Sequence, residues 1–436
     1  VSNSVTPPRL VALEILRRVR TGELLDRAIS SAGQRLDPRE RGWTQEVVYG
    51  TLRLRGRIDH ILGAFVKGGM EKLEPDVLDV LRLGVYQLLE MGSVPPYAAV
   101  SQSVELARAA GLSRAAGFVN GVLQSVRRAG GSFEFPKFDE DPVGHLATWG
   151  SHPRWLVERW VARWGPAEAR ALVEADNRRP DLFLRPVGVE RAEAIDRLAE
   201  RGIESVEVAG FPDSLRILPP AGPLEALAAV PGVIQDPAAA MVVRYADVPR
   251  GATVIDLSAA PGGKAVALAA RARFVAAADI SPSRLRRVLA NALRTETAER
   301  IGLVAADART PPFRPVDAVL LDAPCAGTGT LRRHVDGRWR LMPEDLAKLS
   351  ALQADLLDSA AWLVRPGGLL IYATCSLEPE ENEHSVERFL RDHPEFALEE
   401  PMEGMDAAML DGGTLRLLPQ RHGHDGAFAA RMRRTD

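Results

Sequence analysis

From residue 250 onward, short apolar runs alternate with helical segments, and this alternation constrains the fold more than any other feature. TVIDL (253–257), FVAAADI (274–280), IGLVAAD (301–307), VDAVLLD (316–322) and GLLIYAT (368–374) read as strands, with helical segments between most of them. Strands separated by helices pair in parallel, because each crossover helix returns the chain in the same direction. The expectation is a doubly wound, Rossmann-like α/β sheet, with ligands beyond the carboxyl ends of its strands.

Upstream the period changes. LVALEILRRV (10–19), RIDHILGAFV (57–66) and VLDVLRLGVYQLLEM (77–91) repeat their apolar residues at helical spacing. AAVSQSVELARAAG (98–111) and AAGFVNGVLQSVRRAG (115–130) continue the pattern. Asp37 and Pro38 suit a helix start, and Pro95-Pro96 break a connection. No β-type alternation interrupts residues 6–130, so we expect a small helical bundle. GGSFEFPKFDEDPVG (130–144) mixes glycine, proline and acids and reads as a linker. In 151–180 the pattern is helical again, and Trp155, Trp160 and Trp164 at helical spacing argue for core rather than a base-stacking platform. LFLRPV (182–187), SVEVAG (205–210) and LRILP (215–219) then suggest a small mixed α+β subdomain. We divide the chain into a helical domain (1–130), a linker (131–150), the α+β subdomain (151–231) and the doubly wound domain (232–436).

Charge is uneven along the chain. The net charge is -3, yet residues 1–130 hold 18 Lys+Arg against 13 Asp+Glu, a balance of +5 that leaves -8 for the rest. Sixteen of those basic residues are Arg, the better phosphate binder, although Arg and Ala richness also follows from a GC-rich genome. No apolar run reaches the roughly 18 residues that span a bilayer, and the first residues lack a signal-peptide pattern. The expectation is a cytoplasmic monomer with no membrane partner. Two cysteines in 436 residues make neither a disulfide framework nor a zinc cage, so no metal is expected.

TVIDL-SAAPGGK-AVALAARA is a strand, a glycine-containing loop and a helix. A P-loop would need glycine where Ser258 stands and a hydroxyl where Ala265 follows Lys264. A dinucleotide site would need G-x-G-x-x-G, which is missing. A methyl-donor site remains. Asp279, after the second strand, suits ribose hydroxyls; Asp307, after the third, can hold an adenine amino group.

Both cysteines fall at the ends of strand candidates: Cys325 in VDAVLLDAPCAGTGTLRRH, with Asp322, and Cys375 in GGLLIYATCSLEPEENE. A buried cysteine is usually inert packing. Two sulfurs at one ligand-facing sheet edge suggest chemistry instead. Cytosine C5 is too weak a nucleophile to take a methyl group directly. Thiolate addition to C6 makes C5 enamine-like, and loss of the C5 proton with expulsion of the thiol restores the ring. A carboxyl at Asp322 could hydrogen-bond N3 and the exocyclic amine as charge builds on the ring. Amino-group methyltransferases would carry N/D-P-P-Y here; this chain has DAPC. The acids Glu378, Glu380, Glu381 and Glu383 disfavour a thiolate at Cys375 and call for an offsetting cation, for which Lys264 is a candidate.

SAAPGGK, DAPCAGTGTLRRH, TCSLEPEENE, GVIQDPAAAMV (232–242) and LLPQRHGHDGAFAARMRR (417–434) resemble the motifs of RNA cytosine-C5 methyltransferases. LRLGVYQLLEMGSVPPYAAVSQSVELA and GFVNGVLQSVRR resemble the NusB-like RNA-binding domain. The combination, spanning nearly the whole chain, is similar to the Sun/RsmB family, which methylates 16S ribosomal RNA. That resemblance implies an all-helical NusB-like domain that binds RNA, followed by the small α+β subdomain and the methyltransferase domain. It implies S-adenosylmethionine as cofactor, with S-adenosylhomocysteine as product. Cys375 would be the nucleophile, Cys325 would assist release of the adduct, and Asp322 would orient the base and border the cofactor. Ser258, Ala259, Ala260, Pro261, Gly262, Gly263, Lys264, Asp279 and Asp307 would hold the donor. The chain departs from the family pattern in three places: Ser258 stands where Cys is usual, LFLRPV where Arg-Val-Asn is usual, and Gln102 where Glu is usual. Alternatives are a transfer-RNA methyltransferase and a non-catalytic RNA-binding assembly factor.

Overall fold

Proline opens helix after helix in the first part of the chain, where its missing N–H would have had no intrahelical partner. The computed structural model describes residues 4–435. Its first unit, residues up to Arg178 together with Arg333–Leu341, contains α1 (Pro7–Arg20), α2 (Leu25–Ala32), α3 (Pro38–Arg53), α4 (Arg55–Phe65) and α5 (Pro75–Leu89). It continues with α6 (Pro96–Ala109), α7 (Ala116–Ala129), α8 (Pro142–Thr148), α9 (Arg154–Trp164) and α10 (Pro166–Asn177). Asp37 caps α3 by accepting from the Glu40 N–H at 2.8 Å. Helix α5 is the centre of the bundle: Val77, Val80, Leu81, Leu83 and Val85 are all buried, an apolar surface too wide for a helix at the periphery.

Two expectations are refined here. The stretch after Gly130 has no regular structure before α8, yet it is seated on α4, with Phe133 edge-on to Phe65 and Phe135 stacked on His60 at 4.7 Å. Of the three tryptophans, Trp160 is fully buried, while Trp155 and Trp164 are half-buried and the Arg163 guanidinium covers the Trp164 ring.

The second unit begins with a four-stranded antiparallel sheet, ordered β2-β3-β1-β4. It is built from β1 (Leu182–Pro186), α11 (Arg191–Ala199), β2 (Ser205–Glu207), β3 (Leu215–Ile217), α12 (Pro223–Ala229) and β4 (Gly232–Ile234). Next come α13 (Pro237–Ala246), β5 (Thr253–Asp256), α14 (Gly263–Ala269), β6 (Phe274–Asp279), α15 (Pro282–Arg294), β7 (Ile301–Ala305) and β8 (Val316–Asp322). The turn α16 (Gly337–Arg340) belongs to the helical unit. The chain then forms α17 (Pro343–Ala361), β9 (Val364–Thr374), α18 (Glu383–Asp392), β10 (Phe396–Leu398), β11 (Leu410–Asp411), β12 (Thr414–Leu417), α19 (Pro419–His422) and β13 (Ala427–Arg434).

The large sheet has nine strands, ordered β11-β12-β13-β9-β8-β5-β6-β7, with β10 also on β13. Strands β9-β8-β5-β6-β7 are parallel, with helices in three of their four connections and an irregular segment between β7 and β8. Strands β10 to β13 instead add antiparallel, with β13 lying along β9 from Thr374 to Leu369. The sheet is therefore mixed rather than wholly parallel. Sheet residues such as Val254, Ala318, Val319, Leu320, Leu370 and Ile371 are buried, the mark of a sheet covered on both faces. No described helix is long and apolar enough to cross a membrane.

Candidate active site

The carboxyl ends of β5, β6, β8 and β9 open on one cavity of about 590 Å³. Its wall brings together Ser258, Ala260 and Lys264 from the loop after β5, Asp279 and Ile280 after β6, and Asp307 after β7. Asp322 and Cys325 join from the β8 end and Cys375 from the β9 end. Ala259, Pro261, Gly262 and Gly263 belong to the same loop but do not line the cavity.

That loop is held in shape from behind. Ala259 donates its N–H to Ala278 at 2.8 Å, Asn291 donates to the Pro261 carbonyl at 2.8 Å, and Arg284 donates to the Ala260 carbonyl at 2.9 Å. Gly262 adopts φ +106°, and a Cβ there would lie 2.9 Å from the Val288 Cα. Only glycine meets both the left-handed backbone and the approach of α15. Asp279 is buried, and its carboxylate accepts from the Ser281 N–H at 2.9 Å and the Ala260 N–H at 3.3 Å.

Lys264 donates to Asp322 at 2.6 Å. Burial alone would lower the lysine pKa, but Asp322, Asp256 and Cys375 outweigh it and hold the pKa above its ordinary value. Asp256 beneath them is pushed up to about 7, first by burial and then by Asp322, with Lys264 opposing.

The sulfurs of Cys325 and Cys375 are 3.4 Å apart. Their loops are laced together: Gly329 donates to the Cys375 carbonyl at 2.9 Å, and Gly426 donates to Gly329 at 2.7 Å. A Cβ on Gly329 would fall 2.7 Å from the Gly426 Cα, so only glycine allows the three backbones this close. The Cys325 thiol is raised well above its ordinary pKa, by its contact with Cys375, by burial and by the charges of Cys375 and Glu381. Glu381 is fully buried and accepts from the Ala326 N–H at 3.0 Å and from Gln353 at 2.9 Å. Part of the acidic run after Cys375 thus serves to hold the Cys325 loop.

Sequence reasoning missed several wall residues. Ile280 is 67% exposed directly after Asp279, a free apolar side chain at a strand end that could have been noticed. Leu352 and Leu356 of α17 and Ala308 supply more apolar wall. Arg309 clasps Asp307, donating to its carboxylate at 2.6 Å and holding its pKa below the ordinary value.

Comparison with known proteins decides the family. Residues 246–433 match the family model "16S rRNA methyltransferase RsmB/F", residues 6–128 match the NusB family, and residues 152–222 match the ferredoxin-like domain of RsmF/B-like methyltransferases. A "Probable ribosomal RNA small subunit methyltransferase B" of Bacillus subtilis is 33% identical, covering 98% of this chain and 99% of its own. The chain belongs to the RsmB/F family of rRNA methyltransferases. The family's ribosomal RNA small subunit methyltransferase B of Klebsiella pneumoniae is also 33% identical, over 91% of this chain and 92% of its own. The crystal structure of PH0851 superposes with a TM-score of 0.81 at 28% identity, covering 98% of this chain and 99% of that one. As an RsmB/F member the protein is an S-adenosylmethionine-dependent RNA methyltransferase, with a NusB-type helical domain, a ferredoxin-like subdomain and a methyltransferase domain.

The cavity suits that donor. It lies within the roughly 300–1,000 Å³ range of small-molecule sites, and it offers apolar wall together with a buried carboxylate at a strand end.

Proposed function

We propose that this protein methylates carbon 5 of a cytosine in 16S rRNA through a covalent bond between Cys375 and cytosine C6. The observation that carries this reading is the pair of sulfurs 3.4 Å apart, in the cavity that also holds Lys264, Asp279 and Asp307. An amino-group methyltransferase needs no such pair, whereas C5 chemistry needs one sulfur to add and a second group to help it leave.

S-adenosylmethionine, when bound, supplies the electrophilic methyl group. Ser258 through Lys264, Asp279 and Asp307 would hold it, and exposed Ile280, with Ala308, Leu352 and Leu356, would supply apolar wall for its base. Cys375 adds to C6 and loads electron density onto C5. Asp322 orients the base through N3 and the exocyclic amine, and Lys264 offsets the negative charge of Asp322 and Cys375. Cys325 keeps its proton at neutral pH and stands beside the sulfur that must depart. The target cytosine must leave its stack, because C6 is out of reach inside a helix. In this reading residues 1–130, with their +5 balance, grip RNA phosphates; 131–150 connect; 151–231 form the small subdomain; and 232–436 carry the chemistry.

The test uses 16S transcripts carrying 5-fluorocytosine, whose C5 cannot lose a proton. A covalent protein–RNA complex should form with S-adenosylmethionine and vanish in Cys375→Ala. Full methyl transfer by Cys375→Ala would refute the mechanism. Bisulfite sequencing of rRNA from a deletion strain identifies the nucleotide, and an unchanged 16S pattern would move the substrate elsewhere.

A further inference from the structure

The chain's two cysteines come from different loops, fifty residues apart, yet their sulfurs stand 3.4 Å from each other. The spacing is set by the sheet edge. Ala323 donates to Ala373 at 2.8 Å and Gly329 to Cys375 at 2.9 Å, one bond on each side of the pair. Both side chains are half-buried and border a cavity open to small solutes. A disulfide requires about 2.05 Å between sulfurs, so the pair must close by about 1.3 Å, within reach of side-chain rotation.

We propose that Cys325 and Cys375 form an oxidation site, at which a hydroperoxide produces a reversible intramolecular disulfide that silences the cavity until a dithiol restores it. The inference rests on the geometry of the thiols and not on which base the enzyme methylates.

The chemistry takes two steps. The sulfur of Cys375 attacks one peroxide oxygen, the O–O bond breaks, and Cys375 becomes a sulfenic acid as water leaves. The sulfur of Cys325 then attacks the sulfenic sulfur, the S–O bond breaks, and a second water departs with the Cys325 proton. In sum the two thiols lose two electrons and two protons, and hydrogen peroxide takes them up to become two waters. The order follows from the surroundings. Cys325 is held protonated chiefly by its contact with Cys375, which suits the resolving role; Lys264 shares its charge with Cys375. Once Cys375 is a sulfenic acid, its electrophilic sulfur stands within contact distance of the Cys325 sulfur, which favours the second attack. A resolving thiol within contact distance also keeps Cys375 from advancing to the irreversible sulfinic acid.

The experiment treats the reduced full-length protein with hydrogen peroxide, then blocks free thiols with iodoacetamide and measures intact mass and peptide maps. Expected are a loss of two hydrogens, no alkylation, a linked peptide pair containing Cys325 and Cys375, and return of both thiols with dithiothreitol. In Cys325→Ser, Cys375 should instead give a dimedone-reactive sulfenic acid that proceeds to sulfinic acid. Unfolding in urea should slow the intramolecular bond at least tenfold, because the fifty-residue separation is no longer closed by the fold. Three results would each overturn the proposal: sulfinic acid at Cys375 in the wild type at the rate seen in Cys325→Ser, disulfides only between chains, or bond formation as fast in urea as in the folded protein.

Discussion

Lys264 reaches from the loop after β5 to Asp322, its ammonium 2.6 Å from the carboxylate, and so ties that loop to the one that carries Cys325. Asp322, Asp256 and Cys375 all favour the charged lysine over the penalty of burial. The ammonium therefore balances three acidic groups at the place where the proposed mechanism brings in the base. Removing it leaves negative charge beside Cys375, the proposed nucleophile. In Lys264→Met, methyl transfer should fall on the order of tenfold or more, the equivalent of about 1.4 kcal/mol or more of lost charge interaction. Unchanged turnover would show that another group serves as the counter-charge.

Asp256 gives a stability prediction with a definite sign. Its carboxyl is 1% exposed, its Oδ1 has no hydrogen-bond partner, and its pKa is pushed up to about 7. The unfolded chain releases this proton near pH ~4, the folded chain only near 7. Between those values the folded state binds more protons, so this group makes the protein less stable as pH rises through the window. Asp256→Asn removes the titration. Relative to wild type, the variant should gain stability from about pH 4 to about pH 7 and then hold level, with a span of a few kcal/mol at most. Urea midpoints of the two proteins across that range test it; a difference that does not change with pH contradicts the assignment.

What could be read from the sequence was local. The loop after β5 stood out because its glycines, Lys264 and the strand-end acids Asp279 and Asp307 sit at fixed offsets from apolar strands, and the structure brings Lys264 and both acids to one cavity. The two cysteines stood out because nothing else in the chain competes with them. Features built from distant partners were hidden. Leu352 and Leu356, four apart on α17, look like ordinary core. Arg309 gives no sign that it will clasp Asp307. Strand β13 carries Arg431, Arg433 and Arg434, and Arg431 is buried with the carboxylate of Glu399 at 3.4 Å and the Glu400 carbonyl at 3.3 Å, pairings no period announces. Two departures from the family pattern acquire a place in the structure. Gln102 accepts from the Thr6 N–H at 3.1 Å, so it holds the start of the chain on α6. Arg185, in the middle of LFLRPV, is buried and donates to Gln235 at 3.3 Å.

The stretch Arg333–Leu341 carries charged residues whose partners no local pattern announces. Arg338 is fully buried in the helical unit. It donates to the carbonyls of Arg53 at 3.1 Å, Ser151 at 3.3 Å and Asp176 at 2.6 Å, and to the Asn177 side chain at 2.7 Å. Burial brings its pKa down to about 10, which leaves it charged at neutral pH. Arg338→Met would leave these acceptors without a donor, a loss of about 3 kcal/mol. Arg338→Lys should recover little, because an ammonium cannot spread over four acceptors as a planar guanidinium does. Hydrogen–deuterium exchange should rise in α3 and α10 in both variants. Wild-type protection in Arg338→Met would mean that the carbonyls find water instead.

Cys325 offers the sharpest division of labour. Its pKa lies well above the ordinary thiol value, so at neutral pH it is a proton carrier rather than a nucleophile, and its sulfur is 3.4 Å from Cys375. A thiolate leaving C6 departs more readily when a neighbouring thiol can exchange a proton at the site of departure. Without that neighbour the adduct should still form but release slowly. Cys325→Ser should therefore accumulate a covalent protein–RNA complex with unmodified 16S transcripts, seen as a retarded band on denaturing gels, while turnover falls by about 10²-fold or more. Cys375→Ala should give no band, and neither should the double variant, because Cys325 only acts on an adduct that Cys375 has made. A band in Cys375→Ala alone would reverse the assignment of the two sulfurs, and one that survives in the double variant would place the covalent bond on some other residue.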